Sequence, residues 1–237
     1  MSKCIRSTDL LLIPGMMCDE MQWAHQKEAL SGQCQIHPCA MIGFKSIQEI
    51  AESILEKAPA TFALAGLSMG AIVAFEIWRQ APERVERMAL LDTNFRADTE
   101  EKKAVRNRQI KEVFSGALAE VLRNELKPNY LAEIHCNNTE LLQEVLDMGL
   151  RLGKEVFLDQ SIALRDRPDS RSTLGSINRP VVIICGKEDQ LCPPSLHQEL
   201  AAAIPDSELY LIDDCGHLST MEQPEAVNKI LLGWLQK

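Results

Sequence analysis

The chain has 237 residues, 46% hydrophobic and 25% charged, a balance that supports a packed core and excludes a disordered or fibrous polypeptide. Acidic residues outnumber basic ones by 34 to 25, giving a net charge of −9, and no lysine or arginine stripe is interleaved with aromatics, so nucleic-acid binding is not expected. Cys4, Cys18, Cys34, Cys39, Cys136, Cys185, Cys192 and Cys215 form no C-x-x-C pair and no Cys/His quartet at zinc spacing. Reduced thiols, no bound metal and a cytoplasmic location are the expectation. The first residues run into an apolar stretch that breaks at Pro14-Gly15, too short for a secretory leader.

In chain order, Asp9–Ile13 is a continuous apolar strand, followed by a helix from about Glu20 to Leu30 and a short strand from Cys34 to Cys39. Ser46 opens the next helix with a capping box closed by Glu49, and Pro59 ends it. Thr61–Ala65 is a third strand, Met69–Gln80 a helix that stops before Pro82, and Glu86–Leu91 a fourth strand. The uncharged stretch between Lys57 and Glu76 has the length of a membrane span. Pro59, Thr61, Gly66, Ser68 and Gly70 interrupt it, and its halves have different periods, so it reads as strand, turn and helix and no membrane partner is expected.

Residues 93–178 then carry helical patterns and no convincing strand. Asp98-x-x-Glu101 is a second capping box leading a charged helix to about Phe114, and further helical patterns cover 118–125, 139–152 and 154–164. Strands resume at Pro180–Cys185 and Glu208–Ile212, with a helix at Pro194–Ala203 and a last one from about Pro224 to Leu235. The expected fold is α/β, a mostly parallel sheet of six strands with helices on both faces. Its core is residues 1–92 and 179–237, and residues 93–178 form a helical cap insertion.

In open parallel sheets, ligands bind beyond the carboxyl ends of the strands. There the sequence places Pro14-Gly15-Met16, the Gly66-Leu67-Ser68-Met69-Gly70 turn, Asp92, Asp189 and His217. A serine hydroxyl is a weak nucleophile unless a base takes its proton. Ser68, on a strand-to-helix turn flanked by Gly66 and Gly70, is presented for that role. The backbone N–H groups of Met69 and Met16 are the candidate oxyanion donors, with Met17 and Leu218 as candidate pocket residues. Among the histidines, His25, His37 and His135 read as surface or packing residues and His197 as solvent-facing, which leaves His217 as the base. Asp189 is the candidate acid, with Asp92 as its rival, and Glu188 is expected to point elsewhere. Arg165, Arg167 and Arg171 are candidates either for a substrate carboxylate or for a charged seam joining insertion to core.

These motifs resemble the α/β-hydrolase superfamily from about Asp9 to Trp234. Gly66–Gly70 looks like its nucleophile elbow, Gly186–Pro193 like its acid loop, and Gly216-His217-Leu218 with Glu222-Gln223-Pro224 like its histidine loop. The resemblance extends most to small capped esterases, enol-lactonases and C–C bond hydrolases. It implies two strands ahead of the first one here; none is legible before residue 9, so six are expected. Pro14-Gly15 stands where the family often has His-Gly, and serine at position 68 disfavours the aspartate-nucleophile relatives. The implied activity is hydrolysis of a small-molecule ester or lactone on a Ser68–His217–Asp189 triad without cofactor. The alternatives are C–C bond or enol-lactone hydrolysis in aromatic catabolism, or a non-catalytic small-molecule receptor. The sequence carries no signal for the oligomeric state.

Overall fold

The computed structural model describes residues 8–126 and 129–237; Cys4 and most of the stretch tested for a leader lie outside them. Six parallel strands form one sheet in the order β2-β1-β3-β4-β5-β6: β1 (Thr8–Ile13), β2 (Cys34–Pro38), β3 (Phe62–Leu67), β4 (Val85–Leu91), β5 (Val181–Gly186) and β6 (Ser207–Ile212). Every described pairing is parallel, where the sequence suggested only a mostly parallel sheet. Crossovers made of helices give this result, because a parallel neighbour cannot be reached by a tight hairpin.

Alternate residues of each strand serve opposite faces. Leu11, Ile13, Leu64, Met88, Leu90, Val181 and Ile183 point to one side, under α2 (Ile47–Lys57) and α3 (Met69–Gln80). Leu10, Leu12, Ala63, Ala65, Val182 and Ile184 point to the other, under α1 (Ala24–Leu30) and a C-terminal helix that contributes Val227, Leu231 and Trp234. Both faces are covered, which explains why the inner strands β1, β3 and β5 read as apolar runs, whereas the edge strands β2 and β6 are mixed and partly exposed.

Ser46 caps α2 as expected, its Oγ accepting from Glu49 N–H at 3.1 Å, but the Glu49 carboxylate reaches back to Lys45 N–H rather than to Ser46. Between β4 and β5 lie α4 (Glu100–Glu112), α5 (Leu118–Val121), α6 (Thr139–Arg165) and α7 (Arg171–Leu174), and no strand among the described residues. The second capping box is corrected. Thr99 is the N-cap of α4, its side chain accepting from Lys102 N–H at 3.3 Å, while Asp98 turns inward to two guanidinium groups. The two helices expected on either side of Gly153 are both present within α6, separated by a kink where Gly153 takes φ 79° and ψ 178°. That backbone region is essentially reserved for glycine. After β5 come α8 (Pro194–Ala203), α9 (Ser219–Glu222) and α10 (Pro224–Leu235). No helix among the described residues is long and apolar enough to cross a membrane.

Candidate active site

The strand order reverses at β1, whose neighbours are β2 on one side and β3 on the other. At such a switch point the crossovers leave in opposite directions and open a crevice above the strand ends. The loop after β1 carries Met16 and the turn after β3 carries Ser68, so the two meet at this crevice.

Ser68 adopts φ 53° and ψ −112°, a strained conformation for a residue with a side chain. Its N–H donates to Leu91 O at 2.8 Å, and Thr93 Oγ1 donates to its carbonyl at 3.0 Å, so both sides of the peptide are tied to β4 and its exit. Glycines allow the turn to close. A Cβ on Gly66 would lie 2.5 Å from the Gly70 carbonyl carbon, and one on Gly70 would lie 2.1 Å from Ile13 O. The hydroxyl therefore stands at the start of α3, partly open to solvent.

His217 Nε2 lies 2.9 Å from Ser68 Oγ, and its Nδ1 lies 2.8 Å from Asp189 Oδ2. Asp189 Oδ1 accepts from the N–H groups of Leu191 and Cys192, both at 2.9 Å, so the carboxylate cannot rotate away from the ring. Burial of His217 by itself would lower its pKa, but the charge and hydrogen bond of Asp189 outweigh that and the net shift is upward. The imidazole backbone is held as well: His217 N–H donates to Tyr130 O at 2.6 Å, and the Tyr130 ring tilts against it at 5.6 Å.

Asp92, the rival acid, lies buried beneath this group and accepts from Gly186 N–H and Ser219 N–H, each at 3.1 Å. Burial, and then the charge of Asp189, push its pKa up to about 8. It braces two loops and makes no hydrogen bond to the imidazole. Glu188 points away from the histidine and accepts from Glu133 N–H at 2.9 Å.

The N–H groups of Met16 and Met69 have no acceptor among the described residues. Met16 occupies a turn closed by Cys18 N–H to Gly15 O at 3.2 Å, with Met17 at φ 54°. Such turns normally place glycine at that second position. Two glutamines hold the turn instead. Gln22 Oε1 accepts from Gly15 N–H at 2.7 Å, and Gln160 Oε1, from α6, accepts from Met17 N–H at 2.8 Å while its amide donates to Met41 O at 3.1 Å.

A cavity of about 190 Å³ above Ser68 and His217 is lined also by Met16, Asn94, Lys102, Arg106, Tyr130 and Arg167. Met17 and Leu218 were expected there. Both are buried in the apolar core instead, Met17 because its turn is pulled toward α6, Leu218 because its N–H is tied to Glu222. The Glu222 carboxylate also accepts from Gly216 and Ala132 N–H, fixing the loop that carries His217. His197 is a further correction: it is fully buried, and its Nε2 accepts from Thr93 N–H at 2.8 Å. Burial pushes its pKa down to about 4, so the ring is a neutral acceptor that anchors the exit of β4. The three arginines are engaged within residues 93–178 and their ion pairs do not form a seam to the core: Arg165 pairs with Asp166, Arg171 with Asp169 and Arg167 with Asp98.

Nothing local in the sequence marks Gln160, Gln22 or Arg106 as site residues. Gln160 meets its partner 143 positions away, and although Gln22 and Arg106 have partners seven and eight positions away, no motif at that spacing signals the contact.

The sequence pattern described as "Alpha/beta hydrolase family" matches residues 40–230. Among solved structures, a thermophilic esterase from Thermogutta terrifontis is similar at a TM-score of 0.88 and 27% identity, covering 97% of this chain and 90% of that one. The enol-lactonase from Burkholderia xenovorans LB400 has a TM-score of 0.86 at 23% identity, covering 98% and 92%, a likeness of fold. Among curated proteins, the dihydrolipoyllysine-residue acetyltransferase component of the acetoin cleaving system of Pseudomonas putida is 28% identical over 97% of this chain, which spans 64% of that protein.

Proposed function

The chain belongs to the alpha/beta hydrolase family, and we propose that within it the protein is a serine hydrolase cleaving a small-molecule carboxylic ester or lactone through an acyl-Ser68 intermediate. The observation that carries this reading is the unbroken hydrogen-bonded path from Ser68 Oγ through the His217 ring to Asp189. His217 Nε2 takes the hydroxyl proton as Oγ bonds to the substrate carbonyl carbon. The carbonyl oxygen becomes an oxyanion facing the N–H groups of Met16 and Met69, and the start of α3 adds a favourable dipole. As the C–O bond breaks, His217 returns the proton to the leaving alcohol, which in a lactone stays attached as a hydroxyl. A water then gives its proton to His217 and its oxygen to the acyl carbon. The acid departs and Ser68 recovers its proton. Asp189 holds the imidazole in the tautomer that exposes Nε2 and stabilises the cation. Residues 93–178 serve as the cap over a core of 1–92 and 179–237.

The test is the initial rate on p-nitrophenyl esters of increasing acyl length, with Ser68→Ala beside the parent protein and a fluorophosphonate as covalent probe. The parent should turn over the short esters and become labelled at Ser68. Ser68→Ala should lose at least ~10⁴-fold in turnover. A Ser68→Ala protein that keeps its rate overturns the reading. A parent inert to esters but active on a vinylogous diketone transfers the same residues to C–C bond hydrolysis.

A further inference from the structure

The cavity above Ser68 is charged opposite to the protein as a whole. The chain carries a net charge of −9, yet the charged residues lining this cavity are Lys102, Arg106, Arg167 and a single acid, Asp98. Asp98 is buried between the guanidinium groups, with Arg106 Nε at 2.6 Å and Arg167 Nη1 at 2.7 Å. Arg167 is almost wholly buried and held by three acceptors, its Nε donating to Arg96 O at 2.8 Å and its Nη1 to Leu164 O at 3.2 Å besides Asp98. Arg106 is different. Beyond Nε, its one further hydrogen bond among the described residues is from Nη1 to the Met16 sulfur at 3.7 Å, and its Nη2 has no hydrogen-bond partner among them. Lys102, one turn earlier on α4, is exposed and forms no ion pair among the described residues. Two cations with open donors thus face a cleft that holds a nucleophile, and the guanidinium touches the side chain of a candidate oxyanion residue.

A guanidinium fork fits a carboxylate with two parallel hydrogen bonds, and a low-dielectric cleft concentrates the field of its lining charges. Holding Asp98 requires only one edge of Arg106. A purely structural pair would have no need of the free edge, nor of Lys102 beside it.

We propose that this end of the cavity is a carboxylate receptor, and that the substrate is an ester or lactone bearing a second, free carboxylate bound by Arg106 and Lys102. The substrate assignment rests on the reading of Ser68 as nucleophile; the receptor itself can be tested without turnover.

The first arm compares kcat/KM on the p-nitrophenyl half-ester of glutaric acid with that on p-nitrophenyl pentanoate, which differ only by a carboxylate in place of a methyl group. The parent should prefer the half-ester by about 10-fold or more at low salt, and the preference should shrink as salt rises. Arg106→Gln should reduce the ratio of the two rates by ~10–100-fold and Arg106→Lys by less, with Lys102→Gln lowering it ~2–5-fold. A parent that favours pentanoate, or a ratio that neither Arg106→Gln nor Lys102→Gln moves, overturns the proposal. Should Arg106→Gln fail to fold, the exposed Lys102→Gln and the salt dependence decide the same question.

The second arm titrates glutarate, and glutaramide as its neutral counterpart, calorimetrically into Ser68→Ala protein. Glutarate alone should bind, and adding Arg106→Gln should weaken it at least ~10-fold. Glutarate binding in a protein whose parent hydrolyses neither ester sustains the receptor and sinks the ester-hydrolase reading. Pentanoate hydrolysis without glutarate binding does the reverse.

Discussion

The two walls of the cavity are built by different means. On the sheet side, Ser68, Asp189 and His217 stand on turns so close that side chains are excluded from the backbone around them. A Cβ on Gly186 would sit 2.0 Å from Gly216 O, and one on Gly66 2.5 Å from the Gly70 carbonyl carbon. On the insertion side, α4 reaches the cavity through the long side chains of Lys102 and Arg106, while α6 sends Gln160 to the Met17 N–H beside it. Their helical path is interrupted at Gly116 and Gly153, where an added Cβ would meet nothing within 4 Å or only the Glu155 carboxylate at 4.0 Å. Backbone contacts fix atoms to tenths of an ångström, whereas long side chains can be exchanged without moving a helix. The sheet side is therefore suited to the bond-making atoms, and the insertion side to choosing what is brought to them.

The largest effect that separates the walls should come from Asp189→Asn. An amide in place of the carboxylate favours the wrong imidazole tautomer, and turnover on every ester should fall by ~10³–10⁴-fold. The pH profile sharpens this. His217 must be neutral to take the serine proton, and Asp189 holds its pKa above the ordinary imidazole value. In the parent, kcat/KM should therefore fall as pH drops through a pKa above the ordinary imidazole value of about 6.5. With Asp189 neutralised, burial acts unopposed by its charge and the acid limb should move to lower pH. Asp92→Asn is the control: it sets an amide against one of two backbone N–H donors, with a stability loss of about 1–3 kcal/mol in denaturant titration. Its turnover should drop less than about 10-fold, because Asp92 does not touch the ring. An equal kinetic loss in both variants would remove the distinction between the two acids.

A smaller effect should appear where the insertion touches the sheet side. Gln160 is a positioning residue, since its carbonyl holds the Met17 N–H in a turn that otherwise favours glycine. Gln160→Leu leaves that donor buried and unpaired, so the turn should relax and the Met16 N–H should leave its aim. We expect kcat to fall ~10-fold across acyl chain lengths with KM little changed, and Gln160→Glu, which keeps an acceptor, to recover part of it. A change confined to KM, or to one acyl length, would make Gln160 a pocket residue instead.

Local signals made much of this legible in the sequence. Proline and cap residues give the limits of α3 and α8 to the residue and those of α10 closely; unbroken apolar runs mark β1, β3 and β5, and shorter or mixed runs mark β2, β4 and β6. Ser68, Asp189 and His217 could be found because each follows a strand end, where a short motif and the topology rule point to the same place. Their juxtaposition did not have to be guessed from distant pairs. What escaped is what side chains do across long separations. Gln160 and Met17 are 143 positions apart, and His197 and Thr93 are 104 apart. His197 looks like a solvent-facing residue on a polar helix, and only the packing of α8 against the end of β4 makes it a buried acceptor. Asp98 shows the same limit at short range. Its spacing to Glu101 fits a capping box, but two guanidinium groups from elsewhere in the insertion outcompete the helix start for its carboxylate.

That competition supplies the smallest and most discriminating test of the insertion side. Thr99 caps α4 with one exposed hydrogen bond, so Thr99→Ala should lower stability by only about 1 kcal/mol. Asp98→Ala should lower it by about 3–5 kcal/mol, because two guanidinium groups lose a buried partner. Were Asp98 the cap, the two losses would be of similar size. Denaturant unfolding of both variants measures this directly, and kinetics extend it. Thr99→Ala frays the first turn of α4, which carries Lys102, while Arg106 stays clamped by Asp98. The KM for the glutarate half-ester should therefore rise no more than about two-fold, within the few tenths of a kcal/mol by which a frayed turn shifts a surface charge. A larger rise would mean that the first turn of α4, rather than the Asp98 clamp, sets the position of the cations over Ser68.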